Sequence, residues 1–160
     1  SGAIALAIAS ATPLVSVIAT DQSREALAIA IQNAESLNLT DQVQFSQGSW
    51  YEAVAPKIQF DVIVSNPPYI ADQDLHLTQG DLRFEPITAL TDKASGLTCL
   101  EEIISGADKY LKPGGLIAVE HGFDQSEAVT HLMKIAGLAD VQAHLDLAGH
   151  YRAASGRKKL

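Results

Sequence analysis

Phe60-Asp61-Val62-Ile63-Val64-Ser65-Asn66-Pro67-Pro68-Tyr69 is the stretch whose reading decides the fold. Its first six residues form an apolar run that predicts a buried strand. Two consecutive prolines cannot extend a central strand, because neither carries an N–H for the ladder. The strand must therefore stop at Ser65 or Asn66, and Asn66, preceding a proline, is held extended. Beyond the strand the chain makes a stiff corner with one carboxamide, proline carbonyls freed from any sheet, and an aromatic ring. That set suits a flat group bearing –NH2. The Asn66 oxygen and a proline carbonyl accept its two hydrogens while Tyr69 covers its face. The bland alternative is a strand ending in a proline turn, with Tyr69 packed as core. The alternation of strands and helices around the motif favours the site.

Outward from this stretch, Gly2 to Ala11 predicts a helix stopped by Thr12-Pro13, Leu14 to Thr20 a strand, and Ser23 to Leu37 a helix with Ser23 as its N-cap. Val43 to Gln47 is a strand, residues 70 to 96 are irregular, and Leu97 to Leu111 is a helix closed by Lys112-Pro113-Gly114-Gly115. Leu116 to Glu120 is a strand and Gln125 to Ala136 a helix ended by Gly137. Val141 to Leu145 and Tyr151 to Ser155 are two last strands joined by a turn through Gly149. Such alternation predicts an α/β fold, a parallel sheet covered by helices, with an antiparallel last pair. An open nucleotide-binding sheet ordinarily begins with a strand leading into a Gly-rich turn. This chain begins on a helix, so the first strand and most of that loop are expected upstream of residue 1, leaving a slot between the second and fourth strands.

The 160 residues suit one domain. No segment is apolar for the 18 or more residues a membrane span needs. The one cysteine, Cys99, excludes an internal disulfide and a Cys-rich metal site, and a reducing cytoplasm is the simplest compartment. Net charge is −8, and the single basic cluster is Arg157-Lys158-Lys159, which lowers the prior for a nucleic-acid partner. His76, His131, His144 and His150 show no metal-ligand spacing.

Ser1-Gly2-Ala3 reads as the end of a Gly-rich loop opening a helix, where a ligand meets free N–H groups. An acid commonly holds ribose hydroxyls about 20 residues further on, and Asp21 stands there at a strand end. Its alternative role is capping beside Ser23. After the next strand, Gly48-Ser49-Trp50-Tyr51 places a Trp that either stacks on a purine or packs as core. The strand ends would converge on one crevice binding a dinucleotide or S-adenosylmethionine, and the Asn-Pro-Pro-Tyr loop selects the methyl donor.

With these residues the chain resembles the catalytic domain of the HemK-type protein-(glutamine-N5) methyltransferases, which modify peptide chain release factors. The resemblance rests on Ser1 through Leu6, Gly48-Ser49-Trp50, Val64 through Ile70, Gln79-Gly80-Asp81-Leu82-Arg83-Phe84-Glu85-Pro86, Lys112 through Gly115, Glu120-His121-Gly122 and Asp146 through Gly149. It implies a Rossmann-like methyltransferase sheet and S-adenosylmethionine as donor. It implies that Gly2, Asp21, Ser49, Trp50 and Asn66 bind the cofactor, with Asp21 on the ribose and Trp50 against the adenine. Asn66, Pro67, Pro68 and Tyr69 would hold the glutamine of a release factor's Gly-Gly-Gln loop, with Asn66, Pro67 and Tyr69 carrying the catalysis. The family usually has Asp where Ser49 stands, and it carries a helical N-terminal domain that is expected to lie outside these 160 residues. Arg83 and Glu85 are either substrate-binding residues or a local salt bridge, and His121 is either catalytic, or a surface or loop-fixing histidine. Rival readings are a DNA or RNA N-methyltransferase using the same loop, a dinucleotide oxidoreductase, and a fragment unable to bind cofactor.

Overall fold

A computed structural model of the chain describes residues 1–72 and 86–160. They form two compact units, Ser1–Ile58 and Gln59–Leu160. The segment Gln79 to Glu85, and with it Arg83, Glu85 and His76, lies outside the described residues.

In the first unit, α1 (Ala3–Ala11) leads to β1 (Val17–Asp21), α2 (Arg24–Ser36) and β2 (Val43–Gln47). β1 and β2 pair in parallel, Val17 opposite Val43 and Asp21 opposite Gln47. Ser23 caps α2 as its chemistry predicts: extended at φ −82°, its hydroxyl accepts the Ala26 N–H at 3.1 Å. β1 begins later than the apolar run suggested. The Val15 N–H bonds the Thr12 carbonyl at 3.0 Å, turning the chain, and Leu14 is left in solvent. Leu6, Ala9, Ala34, Leu39 and Val43 bury together, with Val17 and Phe45 packed against them. A 3₁₀ turn over Trp50–Ala53 was not foreseen. It folds back on Gly48, where a Cβ would stand 2.9 Å from that of Ala53.

The second unit contains β3 (Phe60–Ser65), α3 (Ile87–Leu90), α4 (Thr98–Tyr110), β4 (Leu111–Glu120), α5 (Ser126–Ile135), β5 (Ala139–Leu145) and β6 (Tyr151–Arg157). Its sheet runs β3-β4-β6-β5. β3 and β4 are parallel, whereas β6 is inserted between β4 and β5, antiparallel to both. The short turn between β5 and β6 is held by Asp146, whose carboxylate accepts the Ala148 and His150 N–H groups at 2.8 and 2.9 Å. α4 shows why an i, i+3, i+4, i+7 pattern makes a core helix. Leu100, Ile103, Ile104 and Ala107 are all buried, and Leu100→Ala would cost about 2–5 kcal/mol.

Two expectations are corrected. β3 was read as buried, yet Val62 and Val64, which share one face, are 51% and 43% exposed. β3 is the edge strand of its sheet, and that face is left uncovered. The strand expected from Leu116 begins at Leu111, directly after α4. The register slips between Phe60 and Val62, which absorbs the turn residues Pro113 and Gly114. Gly115 permits this, because a Cβ there would sit 2.9 Å from the Lys112 carbonyl oxygen and 3.1 Å from that of Phe60. The irregular stretch also contains α3, one helical turn after Pro86. Among the described residues no helix is long and apolar enough to cross a membrane.

Candidate functional site

In the first unit the candidate cofactor residues stand at strand ends and at one helix N-terminus. Gly2 caps α1 in the left-handed region, φ +73°, with no side-chain cap. Among the described residues the N–H groups of the first turn of α1 have no side-chain cap, and such groups favour an anionic or oxygen-rich partner. A Cβ on Gly2 would lie 2.9 Å from that of Ala30, so both conformation and space require glycine here. Asn33 steadies the segment by donating to the Ser1 carbonyl at 3.0 Å. Gly2 and Asp21 line one small crevice together with Ser1, Ala30 and Phe45.

Asp21 performs the capping duty that sequence reasoning weighed: its Oδ1 accepts the Ser23 N–H at 2.8 Å. Its Oδ2 makes no hydrogen bond among the described residues and remains for a ligand hydroxyl. Its carbonyl meanwhile accepts the Gly48 N–H at 3.1 Å, so the loop after β2 is tied to the end of β1. Trp50 is half-buried at φ +41°, a conformation rare for a bulky residue and costing about 1–3 kcal/mol. Ser49 makes no side-chain cap to this turn, and its hydroxyl takes no hydrogen bond among the described residues. Gly2, Asp21, Ser49 and Trp50 all belong to the first unit, and Asn66 through Tyr69 belong to the second.

In the second unit the diproline corner leaves the carboxyl end of β3. Pro67 is among the fully buried side chains, an anchor for the corner, while Asn66 is exposed. The Asn66 carboxamide and the Pro67 and Pro68 carbonyls take no hydrogen bond among the described residues, which leaves them as acceptors for a ligand. Beyond the corner, the chain is pinned by Ile70 N–H to the Leu90 carbonyl at 3.0 Å and Asp72 N–H to that of Ala94 at 3.2 Å.

Sequence reasoning missed what holds Tyr69. Its hydroxyl donates to Glu120 Oε1 at 2.9 Å, and its carbonyl accepts from Gln125 Nε2 at 2.9 Å. Glu120 stood out only as part of a strand-end motif, and nothing local to Gln125 marks it. Asp92 was missed as well. Its Oδ1 accepts the N–H groups of Ala94 and Gly96, both at 2.9 Å, and its Oδ2 accepts that of Thr98 at 2.9 Å. Burial pushes the Asp92 carboxyl up, but these three donors outweigh it and hold it below the usual carboxylate range.

Of the readings open for His121, the surface one is excluded. It is wholly buried, its backbone N–H bonding the Arg152 carbonyl at 3.0 Å. Its Nδ1 lies 2.7 Å from the Gly122 carbonyl, which can only accept, so Nδ1 carries the proton. Its Nε2 has no partner among the described residues. Among those residues no cluster of His, Cys, Asp and Glu is arranged to hold a metal ion.

Comparison with known proteins agrees with this architecture. The chain is 51% identical over 156 residues to the release factor glutamine methyltransferase of Bordetella pertussis, covering 98% of this chain and 57% of that protein. The enzyme of the same name from Escherichia coli K12 is 43% identical over 157 residues, covering 98% and 56%. The chain thus spans just over half the length of the curated relatives it matches. Among solved structures, a methyltransferase from Pyrococcus furiosus superimposes with a TM-score of 0.70 at 20% identity, covering 99% of this chain and 70% of that one, a likeness of fold. Residues 1–82 match the family described as the methyltransferase small domain, and the chain belongs to that family.

Proposed function

We propose that the chain carries the catalytic residues of a protein-(glutamine-N5) methyltransferase. Its cofactor would be S-adenosylmethionine and its substrate the Gly-Gly-Gln glutamine of a peptide chain release factor. The observation that carries this reading is the exposed Asn66 carboxamide at a strand end, anchored by the buried Pro67. The proline carbonyls beside it take no bond among the described residues. The names of relatives 43–51% identical across almost all of this chain support the substrate class.

The residues present fit the cofactor. The Gly2 cradle, which a Cβ would fill, suits close approach of a ligand to the α1 N-terminus. Asp21 Oδ2 would accept ribose hydroxyls, and Trp50 would lie against the adenine. Ser49 would accept from the adenine amine more weakly than the carboxylate usual there. The bound sulfonium supplies an already activated methyl group. An amide nitrogen is a poor nucleophile, because its lone pair is delocalised into the carbonyl. Asn66 Oδ1 and the Pro67 carbonyl accept the two amide hydrogens, orienting the nitrogen and stabilising the positive charge that develops on it. Tyr69 covers the amide plane and excludes water.

The test is transfer of labelled methyl from S-adenosylmethionine, with release factor and duplex DNA offered in parallel. Label is expected in the release factor alone. Label in DNA with none in protein would overturn the reading in favour of a nucleic-acid N-methyltransferase.

A further inference from the structure

We infer that Gln125 and Glu120 are positioning residues that fix both ends of Tyr69 and so set the geometry of the Asn-Pro-Pro-Tyr corner. This deepens the function proposed above and rests on it. Gln125 precedes α5 in the chain and 56 positions separate it from Tyr69. Its side-chain amide makes three bonds to three separate segments. Nε2 donates to the Tyr69 carbonyl at 2.9 Å and to the Gly96 carbonyl at 3.3 Å, while Oε1 accepts the Gly122 N–H at 2.8 Å. Only a carboxamide offers two donors and an acceptor in one plane, so neither Glu nor Met can replace it in kind. Gly96 is buried at φ +82°, and a Cβ there would collide with the Tyr69 carbonyl oxygen and sit 2.8 Å from Gln125 Nε2. The staple therefore exists only with glycine at 96.

Glu120 completes the clamp from the end of β4, accepting the Tyr69 hydroxyl at 2.9 Å. A ring held at its hydroxyl and its own carbonyl loses the freedom to swing, and the Tyr69–Ile70 peptide is fixed with it. Catalysis by alignment is sensitive to such support, since a displacement of about 1 Å costs on the order of 10²-fold in rate. Neither residue reaches the substrate in this account. Both act through Tyr69.

The experiment compares the unaltered protein with Gln125→Glu and Glu120→Gln. Methyl transfer to release factor is one readout, and amide hydrogen exchange at Ile70 and Val119 is the other. Gln125→Glu sets a carboxylate against two carbonyls, so kcat is expected to fall about tenfold or more. Exchange at Ile70, next to the clamp, should quicken about tenfold, while that at Val119 in the buried strand stays unchanged. Glu120→Gln keeps an acceptor for the tyrosine hydroxyl and should retain most of kcat, whereas Glu120→Ala should lower it and, in a Tyr69→Phe background, should add nothing. If Gln125→Glu does not fold, Gln125→Met, which lacks both donors, takes its place with the same expectation. Wild-type kcat and wild-type Ile70 exchange in the Gln125 variant would overturn the inference. So would equal acceleration at Ile70 and Val119, which marks general loosening. If the unaltered protein methylates no release factor but Ile70 exchange responds as expected, the clamp stands and the substrate assignment fails.

Discussion

The Gly2–Asp21 crevice and the Asn66–Tyr69 corner are built by opposite means. The crevice is built from elements that follow one another in the chain, within residues 1–45. α1 opens at Gly2, β1 ends at Asp21, and Ser23 both caps α2 and occupies Asp21 Oδ1. The corner is held from afar, with Tyr69 bonded to Glu120 and Gln125 and the next stretch of chain pinned to Leu90 and Ala94. A site made by short-range geometry tolerates change in distant parts of the chain. One made by long-range hydrogen bonds responds to substitutions more than fifty residues away. The difference makes the two regions separable by mutation.

The largest effect is expected at the corner. Asn66→Ala removes one of two acceptors and should lower kcat about 10²-fold, with S-adenosylmethionine affinity kept within about threefold by calorimetry. Near wild-type turnover would remove the carboxamide from the chemistry. In the crevice, Asp21→Ala should weaken S-adenosylmethionine binding about tenfold or more, on the scale of about 1.5–3 kcal/mol for a hydrogen bond to a charged group. It should also loosen the start of α2, so the calorimetric titration needs a parallel thermal melt. An unchanged Kd would leave Asp21 as a cap alone.

The smallest effect sharpens the long-range side. Asp92 has its folded pKa depressed, so the stability it contributes is fully present above the ordinary aspartate value near 3.9 and is lost as pH falls through the folded value. Asp92→Asn should abolish that pH-dependent part. The unfolding profile, tracked by circular dichroism, then loses about 1 kcal/mol near neutrality, where the ionised form contributes, and its acid limb becomes shallower below about pH 4. An unaltered acid limb would show that the three backbone donors do not matter to the ionised form.

This contrast also explains what could be read from the residues. Strand ends, the Ser23 cap, the diproline stop and the antiparallel last pair come from local chemistry, and each was legible. So was the pairing of Gly2 with Asp21, because it depends on one helix and one strand. The Tyr69 clamp was not, since no rule links a tyrosine to a glutamine 56 positions later until the fold brings them together. The exposed face of β3 was misread for a related reason. An apolar run shows that a strand forms but not whether both of its faces are covered. Trp50 and the 3₁₀ turn behind it depend on Gly48 admitting Ala53, a contact invisible in the pattern.

The most direct measurement is site-resolved mass spectrometry of a release factor after incubation with the protein and S-adenosylmethionine. The account predicts a single added methyl on the side-chain nitrogen of the Gly-Gly-Gln glutamine, and none when that residue is replaced by glutamate, which has no –NH2 to offer the Asn66 and Pro67 oxygens. A methyl on any other residue, or an equal yield from the glutamate variant, would contradict it.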